Sequence, residues 1–421
     1  MSGAVVVVGA GVAGSAAALA AARGGARVVV LDGGAGASTL WTGAVDSAAG
    51  DLAEGSRAVA EALGVRLEPS LLVTTSFHAR LAHGRDASLL DLHPLLDARA
   101  RVGVVRVARP GWDADEIVRA GGQGFVAVGA SLLRHADEGS LADAELAARH
   151  DDDGRLGWLG ERLREALARA GAEVGGLLLP PSLGVERARA AELSSRVGVA
   201  CGEALGLPGG PAGLRFEHAR DRAFAAAGIA MRRGRVRGVS AAGPSAGGAG
   251  ARWRLDVDGE GLDAGAVVLA AGGLIGGGLE YQPSEAMEAS ALPPRSRPAY
   301  RCTVEGPWSL AARGRPLDAP GSLFGVPPED LCWPLAADPL ADRVGVATSE
   351  GRVVAEPARG AAAPARFAPA LYAAGDVVAD ARRSWLEALD AGVRAGHAAA
   401  RDVVTGASVR PSPAEASATR P

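Results

Sequence analysis

The chain has 421 residues, too many for one small domain and enough for two or three subdomains around a sizeable core. Its net charge of −4 and an aromatic content of 4% argue against a basic nucleic-acid surface or an anionic membrane as partner. Three widely spaced cysteines, Cys201, Cys302 and Cys332, form no C-x-x-C, so they read as buried thiols rather than zinc, iron–sulfur or disulfide ligands. All 44 basic residues are arginine. Without lysine there is no P-loop lysine, no Schiff base and no lysine general base. An anionic ligand must meet arginine, a helix N-terminus or backbone N–H groups.

Ala4 to Val8 is a short apolar run, as expected of a strand buried on both faces of a parallel sheet. Gly9-Ala10-Gly11-Val12-Ala13-Gly14 follows with the spacing G-x-G-x-x-G, and Ser15 to Arg23 is rich in helix formers. After Gly24-Gly25, Arg27 to Leu31 is a second buried strand that closes on Asp32, 18 positions beyond Gly14. The glycines have separate tasks: Gly9 for the tight turn, Gly11 for approach of a pyrophosphate, Gly14 for helix–strand packing. The helix start offers N–H groups and a positive dipole end to phosphate, and Asp32 suits a ribose hydroxyl pair. Strand, loop, helix and acid together predict a dinucleotide-binding unit. Residues 3–22 lack charge and reach the length of a membrane span, but they are mostly Ala and Gly with turn glycines in the middle. Met1-Ser2-Gly3 supplies no basic start for a signal peptide. The expectation is therefore a cytoplasmic chain with no membrane span.

Further along, Asp51 to Leu63 has helical spacing and Leu71 to Leu81 reads as a strand. Val102 to Val107 and Phe125 to Val128 are predicted strands, and Trp158 to Ala170 an amphipathic helix. Val185 to Leu205 and Leu214 to Ala227 are predicted helical, the latter stopped by Gly228. Ile229–Met231, Val236–Val239 and Trp253–Val257 are expected to form an antiparallel meander, with 241–251 as its loose connection. Ala266-Val267-Val268-Leu269-Ala270-Ala271-Gly272-Gly273 is a buried strand entering a diglycine, and Pro369 to Asp376 a strand ending in Gly375-Asp376. A long helix from Trp385 to Val404 follows, with Gly392 and Gly396 one turn apart for close packing.

These three glycine motifs, in this order, resemble the two-dinucleotide-fold flavoproteins that include succinate dehydrogenase and fumarate reductase flavoprotein subunits. The chain is more closely similar to the B-type flavoprotein family of anaerobic glycerol-3-phosphate dehydrogenase. That likeness rests on Thr42-Gly43-Ala44-Val45-Asp46, Leu179-Pro180-Pro181-Ser182-Leu183-Gly184, Pro211-Ala212-Gly213-Leu214-Arg215, Ala226-Ala227-Gly228 and Val267 to Gly273 with Gly277-Gly278-Leu279. The resemblance implies an α/β Rossmann-like FAD domain with an inserted α+β cap or substrate domain. The expected division is a FAD-binding unit over 1–75, 196–290 (with a small β meander) and 346–406, an α+β segment over 76–195, a second insertion over 291–345, and a disordered tail over 407–421.

It further implies flavin held by Gly9, Gly11, Gly14, Asp32, Thr42, Gly43, Gly272, Gly375 and Asp376, with the late helix aimed at the flavin's pyrimidine edge. The family is described as binding FMN, whereas a full fingerprint plus Asp32 favours FAD; FMN stays as the alternative. The segment Ala379 to Trp385 departs from the glycine-richer turn expected against a flavin. The implied reaction is oxidation of sn-glycerol 3-phosphate to dihydroxyacetone phosphate. Electrons would pass to quinone through a second flavoprotein subunit and an iron–sulfur membrane-anchoring subunit, which would place this chain peripherally at the inner membrane. Two other readings remain open: an electron-relay subunit without its own substrate site, and a stand-alone fumarate reductase-like FAD oxidoreductase. Of the seven histidines only His218, between Arg215 and Arg220, is a candidate base, and an exposed helix face explains it as well. No metal site is expected.

Overall fold

Every residue of β1 (Val5–Val8) is buried, and so are the first four of β2 (Val28–Asp32), because the sheet they found is covered on both faces. The computed structural model describes residues 3–45, 52–170, 173–242, 252–273, 276, 278, 280–283, 302–305, 312–313, 345–346, 348–355, 366–378 and 381–404. Between β1 and β2 runs α1 (Val12–Arg23). An inserted unit then contributes β3 (Arg101–Arg106), α2 (Ala114–Gly121), β4 (Phe125–Gly129), α3 (Asp153–Ala170), β5 (Val174–Leu179), α4 (Ala190–Val197) and β6 (Ala200–Glu203). The chain returns through α5 (Pro211–Ala226) to β7 (Ala230–Arg233). A meander of β8 (Val236–Ala241), β9 (Trp253–Val257) and β10 (Glu260–Ala264) leads into β11 (Ala266–Leu269). Last come β12 (Arg352–Ala355), β13 (Arg366–Ala373) and α6 (Trp385–Val404).

The main sheet has the order β7-β2-β1-β11-β13-β12, with Thr348–Ser349 at the edge. The first five strands are parallel, and β12 pairs antiparallel with β13. From β1 the chain builds outward to β2 and β7, then crosses to β11 and β13 on the other side. The direction of winding thus reverses between β1 and β11, the place where such sheets open a crevice at the strands' carboxyl ends. Alternation does the rest. Val5, Val7, Val28, Val30, Val268 and Tyr372 face α1 and α6, while Val6, Val8, Val29, Leu31, Val267 and Leu269 face Val236, Leu255, Val257 and Leu262 of the meander.

The inserted unit is a second parallel sheet, in the order β6-β5-β3-β4. Leu156, Leu159 and Leu163 of α3 and Leu193 of α4 pack on one face, and Trp112 with Ile117 of α2 on the other. Within the segment 76–195, expected as α+β, β3, β4 and β5 pair parallel, Ala79–Ala82 and Gly84–Asp86 pair antiparallel with other short strands, and the last strand of the parallel sheet, β6, lies beyond residue 195. Length was misleading over 185–205, where Gly198 ends α4 in a left-handed conformation and the chain becomes a strand. Ser70–Val73 and Ala79–Ala82 form a hairpin rather than one strand, and β7 belongs to the main sheet instead of the meander. Residues 243–251, most of the 291–345 insertion and the 407–421 tail lie outside the described residues.

Candidate functional site

A cleft of ≈ 520 Å³ opens at the carboxyl ends of β1, β2, β11 and β13, where the winding reverses. Val8 to Ala13, Leu31 to Thr39, Ala270 to Gly272 and Ala374 to Asp376 line it, together with Phe216, Glu217 and Arg220 of α5 and Arg383 to Trp385 at the start of α6. Six of the sequence-predicted residues thus meet in one place: Gly9, Gly11, Asp32, Gly272, Gly375 and Asp376.

The glycine loop is built for a backbone-lined floor. A Cβ on Gly9, whose φ is +107°, would stand 2.2 Å from the Ala270 carbonyl oxygen, and one on Gly14 would stand 1.9 Å from that of Gly9. Gly14 therefore acts beneath the cleft, holding α1 on the loop. Gly11 is different: the nearest atom to its Cβ position is Ser38 Oγ at 3.0 Å, so its open side is the cleft itself. The Ala10 carbonyl accepts hydrogen bonds from Ser15 Oγ (3.1 Å) and Arg220 Nη1 (3.2 Å). Ser38 Oγ accepts from Val12 N–H at 3.0 Å, one of the donors that the first turn of a helix leaves over. Asp32 Oδ1 accepts from Gly34 N–H at 3.0 Å, which turns the chain at the end of β2.

Opposite, Gly278 and Gly272 cross so closely that a Cβ on Gly278 would lie 1.9 Å from the Gly272 oxygen. Gly277 and Leu279 of the same motif lie outside the described residues. Ser384 caps α6, its Oγ accepting from Glu387 N–H at 3.2 Å. The N-termini of α1 and α6 thus both open on the cleft and bring two positive dipole ends to it. Trp385 stacks on Trp41 (centroids 5.6 Å apart, 26° between planes), and Trp41 meets Phe216 edge-on at 6.4 Å. Trp41 Nε1 donates to the Ala44 carbonyl at 2.7 Å, whereas Trp385 Nε1 is buried at the cleft without a hydrogen-bond partner among the described residues.

Three predicted residues stand elsewhere. Thr42 and Gly43 do not line the cleft; Gly43, at φ +104°, packs toward Leu89, Ala212 and Asp86. His218 is exposed and away from the cleft, while its neighbours Phe216, Glu217 and Arg220 line it. One position along a helix turns a side chain by about a quarter turn, which residue spacing alone did not resolve. Sequence reasoning also missed Ser38, Trp385 and the pair Thr39–Glu217, in which Thr39 Oγ1 donates to Glu217 Oε1 at 2.8 Å. No local signal marks these residues, because each reaches the cleft through long-range packing.

Helix α5 is anchored to the inserted unit by buried charges. Arg215 contacts Asp86 (3.0 Å) and Glu203 (2.7 Å), and donates to the Gly184 carbonyl at 2.6 Å. Burial pushes the Glu203 carboxyl up, against the pull of Arg215. Nearby His150 is fully buried, Nδ1 lies 2.7 Å from the Ser182 carbonyl, and burial brings its pKa down to about 4. Cys201 is a buried free thiol pushed up to about 12 by its burial. Among the described residues no helix is long and apolar enough to cross a membrane.

No family model matches the chain, and no curated protein matches it. Among solved structures it is similar to a flavocytochrome c3 fumarate reductase in an open conformation, at 13% identity over 95% of this chain and 78% of that one, TM-score 0.36. A 3-ketosteroid Δ1-dehydrogenase from Sterolibacterium denitrificans, in complex with 1,4-androstadiene-3,17-dione, is 16% identical over 64% of this chain and 47% of that one, TM-score 0.25. The peptidyl tryptophan dihydroxylase QhpG is 15% identical over 65% of this chain, TM-score 0.22, and the match spans 33% of that protein's length. Likenesses this loose carry no functional argument. The strand order and the cleft stand on their own geometry: a backbone-lined, doubly dipole-capped crevice, with an acid at one end and stacked indoles lining it, that suits a dinucleotide.

Proposed function

We propose that this chain is a FAD-dependent oxidoreductase. The observation that carries the reading is the convergence of three distant segments, at Gly9–Gly11, Gly272 and Gly375–Asp376, on one switch-point cleft that ends at Asp32. The fit is steric as well as topological, since the crossing glycines leave no room for Cβ atoms and the buried Trp385 Nε1 offers a donor. Gly11 and the α1 N-terminus would hold the pyrophosphate, Asp32 the adenosine ribose, and the α6 N-terminus with Trp385 the isoalloxazine end. A bound flavin would supply two-electron chemistry. The protein's part is to keep water out with the Trp41–Trp385 stack and to favour negative charge at the α6 start. His218, exposed on α5, has no proton step assigned to it.

The finer reading follows the sequence resemblance: a subunit of the glycerol-3-phosphate:quinone type, working beside a second flavoprotein and an iron–sulfur membrane subunit. The absence of lysine directs a phosphorylated donor to arginine, of which Arg383 lines the cleft beside the start of α6. Denaturing the purified yellow protein should release FAD on chromatography; FMN alone would remove the role given to Asp32. Dye reduction by the isolated chain and by co-expressed neighbours, with glycerol 3-phosphate and succinate in parallel, tests the rest. Turnover only by the assembly on glycerol 3-phosphate is expected. Robust turnover by the lone chain on a non-phosphorylated donor would replace it with a stand-alone oxidoreductase.

A further inference from the structure

Resting on the dinucleotide reading, we propose that Arg220 is the diphosphate-binding cation of the cleft, seated by the glycine loop itself. Arg220 lies on α5, distant in sequence from the fingerprint, yet it is only 8% exposed and lines the cleft. Its fork is aimed by two contacts: Nε donates to Asp221 Oδ1 at 2.8 Å and Nη1 to the Ala10 carbonyl at 3.2 Å. The second contact places a guanidinium directly on the loop whose neighbouring residue, Gly11, opens to the cleft. Ser15 Oγ shares the Ala10 carbonyl at 3.1 Å.

A positive group is needed here. The Val12 N–H is already held by Ser38 Oγ, so the helix start has one donor fewer for phosphate. No lysine exists in the chain to serve instead. The other cleft arginines belong to other segments: Arg235 follows Gly234, whose N–H donates to the Asp32 carbonyl at 3.1 Å, and Arg383 adjoins the Ser384 cap of α6. Arg220, by contrast, is hydrogen-bonded to the glycine loop itself. Its planar fork suits a bidentate grip on diphosphate oxygens.

The test uses the full chain stripped of flavin, with ADP and adenosine as probes. Losing a charge-assisted contact should weaken ADP binding about tenfold to a hundredfold in Arg220→Met, with adenosine affinity unchanged. The ADP dissociation constant should also lose part of its salt dependence. Ser15→Ala, which removes the other donor to the Ala10 carbonyl, should leave the ADP-to-adenosine ratio near that of the wild type. Equal losses for both probes would reduce Arg220 to a loop support, and no loss for either would remove it from the site; both outcomes overturn the proposal. Should Arg220→Met not fold, Arg220→Lys keeps the charge without the fork: a loss confined to ADP is expected, and an unchanged ADP affinity overturns it. Wild-type protein that binds neither ADP nor FAD would instead remove the dinucleotide reading beneath it.

Discussion

Gly392 of α6 lies so close to Ala13 of α1 that a Cβ on it would stand 2.3 Å from the Ala13 carbonyl oxygen. One turn later Gly396 repeats the relationship with Ala17, at 2.2 Å. The two helices therefore touch backbone to backbone, and Gly375 joins them, its Cβ position 2.7 Å from that of Ala13. This contact aligns the two N-termini on the cleft. Gly396→Val should force the helices apart, costing about 1–3 kcal/mol as overpacking does. Urea unfolding followed by circular dichroism would read the loss, and flavin affinity should fall with it. An unchanged midpoint would mean the helices are not in backbone contact.

Gly11→Val separates cofactor binding from folding. Its new side chain would meet Ser38 Oγ at 3.0 Å and project into the cleft, with no core contact disturbed. The expected outcome is a folded, colourless protein with near wild-type thermal stability. Full flavin occupancy in this variant would place the cofactor elsewhere.

Removing the cation from the buried triad should be far more damaging than removing one of its anions. Arg215→Met leaves Asp86 and Glu203 buried without their countercharge, a loss of about 3–5 kcal/mol. Glu203→Gln should cost less, because burial already favours the protonated form of that carboxyl and Asp86 still pairs with Arg215. Denaturant midpoints of the two variants decide it. A smaller loss for Arg215→Met than for Glu203→Gln would contradict the triad as described.

Stability should fall in mild acid through His150. Its folded pKa is about 4 against the usual 6.5, lowered first by burial and also by Arg155, with the Ser182 carbonyl opposing. The unfolded chain therefore binds the proton first. His150 contributes its full stability above about pH 6.5 and loses it as pH falls toward 4, with no further loss below. The drop is about 3 kcal/mol in order of magnitude. Comparing wild type with His150→Leu between pH 7 and 4 isolates it: the wild-type curve should be the steeper, and parallel curves would rule His150 out.

The sequence by itself determined much of the glycine-rich lining of the cleft. Val5 to Val8, the G-x-G-x-x-G loop, Asp32, the diglycine at 272–273 and Gly375-Asp376 all belong to local units. In such units one short segment carries its own reason: a strand buried on both faces must be apolar, and a backbone that touches another backbone must lack a Cβ. For the same reason Gly392 and Gly396 were legible as a packing face before their partners were known.

Tertiary structure alone decided the rest. Whether β7 joined the meander or the main sheet depended on a pairing partner, β2, that lies far earlier in the chain. The inserted strands look alike as α+β or α/β until their neighbours set the direction of pairing. Which side chain of α5 meets the cleft is a matter of helix rotation, and that rotation is fixed by Arg215 in its buried carboxylate pair. Hence His218, conspicuous in the sequence, faces solvent, while Arg220 and Glu217 on the same helix reach the cleft. Local backbone chemistry is written in neighbouring residues, but side-chain convergence is set by contacts between segments far apart in the chain, and those exist only once it has folded.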